Sequence, residues 1–266
     1  MAEAGAYLRL AAAWFRSAAQ YPLSLALLTL SQVGAAMSSV LAIVFVFGHA
    51  RVLSGFDLGD VLFLYALSGL AFGLADFAFG SVEQLGTHIR TGTLDTMLVR
   101  PVSVLVQIAV DRFSPRRLGK VVPAAITLCY ALPRLDTDWT PARIAMVPAT
   151  VLCGAAICTA IWILGASLQF YVTEAREAAN SVTYGGSALT EYPLSIYGQD
   201  VMRVVTFVVP LAFVNWQPAL FILDRPDPLG LPEWVRFAAP AVAVALLACA
   251  ALVWRTGMRR YASTGS

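Results

Sequence analysis

Of the 266 residues in this chain, 59% are apolar and only 13% are charged, with a mean hydropathy of +0.72; a soluble domain carries about 25% charge. The apolar residues come in blocks of about 20 or more, enough helix to cross a hydrocarbon core of about 30 Å. A net charge of only +2, with no basic tract interleaved with aromatics, argues against nucleic acid as a partner.

The blocks are apolar all round, whereas barrel strands alternate every second residue, so each is expected to be a helix. Residues 5–20 mix Leu8, Leu10, Trp14 and Phe15 with Arg9 and Arg16, a pattern suited to a helix lying in the headgroup layer. The stretch Pro22 to Phe47 is too long for the roughly 7–15-residue core of a signal peptide and is expected to be the first crossing. A second crossing is expected over 61–80, followed by a polar and basic stretch from Ser81 to Lys120. The third, over 118–135, is the weakest, with Lys120 expected to snorkel at one end.

After the turn Pro133 to Pro141, which contains Asp136 and Asp138, a fourth crossing is expected over 144–172. From Thr173 to Leu223 two readings are open. Hydropathy alone starts a fifth crossing near Val201, whereas Pro193, Pro210 and Pro218 suggest a broken element. In the second reading the chain crosses between 178 and 197 and dips back as a re-entrant hairpin, which needs surrounding protein or a cavity. The last crossing spans 235–254 and ends in Arg255, Arg259 and Arg260.

Basic residues set the orientation. Arg9 and Arg16 precede the first crossing, Arg90, Arg100, Arg112, Arg116, Arg117 and Lys120 lie in the second loop, and three arginines lie in the tail. The opposite loops hold fewer, Arg51, then Arg134 and Arg143, then Arg225 and Arg236. Both termini and the loop from Ser81 to Lys120 are therefore expected in the cytoplasm.

Chemistry-bearing motifs are sparse. There is no phosphate-binding G-x-x-x-x-G-K-[ST] loop, no H-E-x-x-H and no C-x-x-C. Cys129, Cys153, Cys158 and Cys249 lie in apolar blocks and are expected to be packing residues, and His49 and His88 fall on opposite predicted sides. The turn Gly185-Gly186-Ser187 has no histidine near it in sequence, so a serine hydrolase is not supported. No catalytic residue, metal site or directly bound cofactor is expected. Gly69 and Gly73 form a G-x-x-x-G pair, continued near Gly80, that lets a helix pack closely within or between subunits. Asp76 is the one acidic side chain read well inside a crossing, a costly placement that calls for a function or a partner.

The most informative stretch is Arg90-Thr91-Gly92-Thr93-Leu94-Asp95, continuing through Met97 and Leu98 to Arg100-Pro101. A polar turn with two candidate N-caps leads into a short amphipathic helix that Pro101 stops. With Leu94, Met97 and Leu98 on one face, it suits either a groove on another protein or a lipid surface.

The run Gly92-Thr93-Leu94-Asp95, then Leu98, then Arg100-Pro101-Val102 resembles the signature between the second and third crossings of ABC-2-type transporter permeases, in the bacterial export branch with separately encoded ATPases. A later pattern is also similar: Tyr184-Gly185-Gly186, then Tyr192-Pro193-Leu194, then Pro210 to Asn215-Trp216. Trp216 and Gln217 depart from it, standing where a tyrosine and a less polar residue are expected.

The resemblance implies an all-α integral membrane protein with a type V exporter-like permease fold. It would be one domain over 1–266, with six crossings, an N-terminal interfacial helix and a coupling segment over 83–102. In such a protein Arg90 to Pro101 would contact an ATPase dimer carrying ATP and Mg2+, and a second permease of the same or another chain would complete the pathway. Gly69, Gly73, Asp76, Pro193, Pro210, Asn215 and Trp216 are candidates for the pathway wall or for helix packing. The implied cargo is a hydrophobic or amphiphilic small molecule such as a natural product or drug, exported across the bacterial cytoplasmic membrane among its lipids. An ATP-independent secondary transporter is the alternative; inverted repeats and midplane charge pairs would mark it, and neither is legible here.

Overall fold

The computed structural model describes residues 2–111, 113–172 and 175–261. Arg112, counted above among the loop charges, and Thr173, where the ambiguous stretch begins, lie outside them. The chain is helical throughout the described residues, with one isolated bridge between Leu53 and Phe56. In order, the helices are α1 (Ala2–Ala19), α2 (Pro22–Phe47), α3 (Leu58–Phe79), α4 (Leu85–Arg90), α5 (Thr93–Leu98) and α6 (Val104–Val110). There follow α7 (Leu118–Ala131), α8 (Pro141–Leu168), α9 (Arg176–Thr190), α10 (Gln199–Phe207), α11 (Trp216–Ile222) and α12 (Ala239–Arg260).

Local chemistry explains many of the boundaries. Pro22 and Pro141 occupy first-turn positions, where a missing N–H costs nothing. Asp57 caps α3 and exchanges side-chain bonds with Asp60, Ser103 caps α6, and Thr140 caps α8. Gly92, at φ +68°, makes the left-handed turn between α4 and α5 that a side chain would strain.

By length and composition α2, α3, α8 and α12 can each cross a membrane, so this is a membrane protein. Counting the bent pair formed by α10 and residues 211–222 raises the number of candidate spans to five. The α7 helix has 14 residues, about 21 Å at 1.5 Å per residue, short of the hydrocarbon thickness. Helix α3 is the central post: 78% of its apolar window is buried, against 6% for α2 at the periphery. It packs on α7 and α8, while α12 lies along α8 and α2 along α7.

The glycine pair on α3 works within the chain. A methyl on Gly69 would sit 3.1 Å from the Ala124 Cβ, and one on Gly73 would sit 2.9 Å from Val121 Cγ2, so both admit α7. Gly73→Leu is expected to force α3 and α7 apart and cost about 1–3 kcal/mol, read as a lower melting temperature in detergent. Gly185→Ala is the control, because nothing lies within 4 Å of its site. Equal melting temperatures for the two variants would sink this account of the helix contact.

The ambiguous stretch is broken, as its prolines suggest. Helix α9 reaches only as far as Thr190, whose hydroxyl meets the Ser68 hydroxyl at 2.6 Å on α3. The chain leaves that depth through α10, turns by 81° and returns. At the return Asn215 Nδ2 donates to the Leu64 and Thr190 carbonyls at 3.1 and 2.6 Å. From there α11 runs to the α3 N-terminal end of the bundle, where Thr137 donates to the Ile222 carbonyl at 2.7 Å. Ion pairs Arg225–Asp60 (3.0 Å) and Arg143–Asp224 (3.3 Å) close the same end.

Packing also corrects smaller expectations. Cys158 is buried and Cys153 partly so, but Cys129 and Cys249 lie on outward faces, because α7 and α12 each bury one side only. Lys120 does not snorkel outward; its ammonium turns inward to Asp76.

Candidate functional site

Beyond the C-terminal end of α3 the chain builds a helical platform. A 3-10 turn (Gly80–Gln84) leads into α4, and the platform's apolar residues Leu85, Ile89, Leu94, Met97 and Ile108 form one core with Ala160, Ile163 and Ala166 of α8 and Trp254 of α12. The expectation that Leu94, Met97 and Leu98 share an outward docking face is therefore corrected. Leu94 and Met97 face the protein's own core, because the ends of α8 and α12 leave apolar surface there that needs covering. Leu98 is 46% exposed and Val99 is 84% exposed, and Arg90, Thr91, Thr93, Arg100 and Pro101 are exposed with them. Gly92 sits at the turn, partly covered.

Polar ties hold α5 rigidly. His88 bridges from Thr93 Oγ1 (2.9 Å) to Asp111 (3.3 Å), and Gln107 Nε2 donates to the Met97 and Val102 carbonyls at 2.9 and 2.8 Å. Glu3 and Tyr261, from α1 and the residue after α12, both reach the platform. Glu3 accepts from the Ser103 amide and hydroxyl at 3.1 and 2.7 Å, and the Tyr261 hydroxyl donates to Asp95 Oδ1 at 3.1 Å. Burial and that hydrogen bond hold the Tyr261 phenol above its ordinary range, so it stays a donor. Helix α1 buries Ala11 against Val110 and Phe113, with Tyr7 donating to the Ala78 carbonyl at 2.8 Å, and leaves Leu8 and Phe15 outward. Helix α1, the end of α12 and the platform thus occupy one end of the bundle.

Gln169, which carries no motif, joins the platform to α8. Its buried amide accepts from the Gly86 N–H at 2.7 Å and donates to the Glu83 carbonyl at 3.3 Å.

Asp76 lies where α3 meets the platform and is fully partnered. Its carboxylate meets Arg117 Nε and Lys120 Nζ, each at 3.4 Å, and Arg117 Nη1 donates to its carbonyl at 2.9 Å. Next to this cluster, α2, α3, α7 and α9 enclose a cavity of about 180 Å³. Gln32, Ser39, Tyr65, Lys120, Tyr184 and Glu191 give it polar walls, and Gly69 lines it too. Glu191, a partly exposed carboxylate just after α9 that sequence reasoning did not single out, also lines this cavity. The remaining candidates lie elsewhere. Pro193 and Pro210 bracket the α10 excursion, Asn215 pins its return to α3, and Trp216 is buried against Phe56 with ring centroids 5.4 Å apart. They pack the bundle, and the cavity does not include them.

A bundle of four or five helical spans long and apolar enough to cross a membrane, with a small polar-walled cavity among them, defines a polytopic membrane protein. Residues 33–265 match the family model described as "ABC-2 family transporter protein". The chain belongs to the ABC-2 transporter family and is the membrane permease component of an ABC transporter, a family that associates with an ABC ATPase. No curated protein and no solved structure matches it.

Proposed function

We propose that this chain is half of an ATP-driven exporter in the bacterial cytoplasmic membrane, with both termini in the cytoplasm and six crossings. In this reading α7 and the α9-to-α11 excursion supply the third and fifth. A second permease, a further copy or a different chain, completes the pathway, and an ATPase dimer carrying ATP and Mg2+ docks beneath. The cargo is a hydrophobic or amphiphilic small molecule.

The observation that carries this reading is the two-sidedness of α5. Its inner face is built into the core through Leu94 and Met97, while Leu98, Val99 and Arg100 project into solvent. An exposed apolar pair beside a cation, at the C-terminal edge of a helix tied to the core by its other face, suits a lever pushed by another protein. An uncommitted loop would leave both faces free.

The test is co-purification of the tagged chain in mild detergent with the products of its neighbouring genes, followed by an ATPase assay. Scrambling Gly92 to Leu98 would disrupt the core, and reversing Asp95 would also break its Tyr261 contact. The informative variant is therefore Leu98→Asp, Val99→Asp and Arg100→Glu together, all on exposed positions. ATPase recovery is expected to fall at least about tenfold, equivalent to about 1.4 kcal/mol, with an unchanged gel-filtration profile. Undiminished recovery would exclude this surface, and a stable wild-type chain that recovers no ATPase would favour an ATP-independent transporter.

A further inference from the structure

We infer that the cavity between α2, α3, α7 and α9 is a binding site for an organic cation, a molecule with one ammonium group on an apolar body, and that Glu191 is its counter-ion. The inference rests on the permease reading and names the class of cargo or effector that the interior recognises.

The two charged side chains on the cavity wall are Lys120 and Glu191, and they are not equivalent. The Lys120 ammonium is engaged from several directions. It pairs with Asp76 at 3.4 Å and lies over the Phe72 and Tyr184 rings, 5.4 and 5.7 Å from their centroids. The Glu191 carboxylate makes no hydrogen bond and no ion pair among the described residues. Its electrostatic neighbours are Lys120, already held by Asp76, the neutral phenols Tyr192 and Tyr197, and the Tyr65 hydroxyl, which donates elsewhere, to the Ala36 carbonyl at 2.9 Å.

A carboxylate inside a membrane bundle is costly unless something pairs with it. The unfilled capacity of this cavity is thus an acceptor, and the complementary ligand brings positive charge. The remaining wall fits such a ligand. Tyr65, Phe72 and Tyr184 contribute aromatic surface, which attracts cations when desolvated. Lys120 shows that two of these rings already hold one. Gln32, Ser39 and Ser68 offer hydrogen bonds without opposing charge.

The test is equilibrium dialysis of the purified full chain in nanodiscs, with empty nanodiscs as the partition blank. The probes are phenyltrimethylammonium, its uncharged isostere tert-butylbenzene, and benzenesulfonate. The cation is expected to bind at least about tenfold more tightly than either, and Glu191→Gln to abolish that preference while leaving tert-butylbenzene unchanged. Equal binding of cation and isostere by the unmodified chain overturns the inference without any variant. So does preferential binding of benzenesulfonate, which would hand the site to Lys120, or an undiminished preference in Glu191→Gln. Because dialysis needs no ATPase, cation binding without ATPase recovery would defeat only the permease reading, and ATPase recovery without cation preference would defeat only this one.

Discussion

Asp76→Asn is expected to cost the bundle about 3–5 kcal/mol, the penalty for removing one partner from a buried ionic cluster. The substitution preserves shape but leaves Arg117 and Lys120 facing each other, with side chains only 16% and 33% exposed. Both sit at the start of α7, a helix too short to hold its place by apolar area alone, so the loss should be felt as detachment of α7 from α3. Adding Lys120→Met should recover part of the stability, since it removes one of the two stranded charges. Reversible unfolding in mixed micelles would measure both variants. A loss below about 1 kcal/mol for Asp76→Asn would mean that water screens the cluster as it does a surface pair, and the structural role argued for Asp76 would fail.

Gln169→Leu is expected to separate docking from transport. It deprives the Gly86 N–H and the Glu83 carbonyl of their partner, about 1–3 kcal/mol for a buried donor left unmet. It leaves Leu98, Val99 and Arg100 untouched, so an ATPase that docks there should still co-purify. What should fall, by about tenfold, is substrate movement per ATP hydrolysed, a coupling loss within the usual 1–3 kcal/mol. Reconstituted vesicles assayed for both quantities would decide. Transport at the wild-type ratio would show that α8 does not carry the platform's motion, and loss of ATPase recovery would show that Gln169 merely supports the fold.

Much of the architecture was legible because the membrane imposes strong demands on sequence. The stretches Pro22–Phe47, Leu58–Phe79, Pro141–Leu168 and Ala239–Arg260 are long apolar blocks with proline, aspartate or threonine at their starts, and such blocks have few other ways to satisfy their backbones. The short helix α5 and its bounds were legible for a different reason. Gly92 and Pro101 punctuate it, and punctuation is local.

The elements hardest to read were those whose stability is not local. Helices α7 and α9 lie close to the stretches expected over 118–135 and 178–197, yet they lack the length or hydropathy to declare themselves and pack on α3 and α8. Leu94 and Met97 could face outward or inward on an amphipathic helix, and only the uncovered ends of α8 and α12 settle which. Gln169 carries no signal at all, because an amide that caps a distant turn looks in sequence like any polar residue at a helix end.

The sequence by itself determined the class of protein, the positions of its long helices and the bounds of the short helix α5, since hydrophobic length and turn chemistry are properties of neighbouring residues. Only the tertiary structure decided that Asp76 is paired, that Glu191 faces a cavity with no hydrogen-bond or ion-pair partner among the described residues, and that α5 exposes just its outer edge. Those facts depend on residues between 41 and 166 positions apart in the chain, such as Arg117 with Asp76 and Tyr261 with Asp95, and no periodicity in the sequence encodes such pairings.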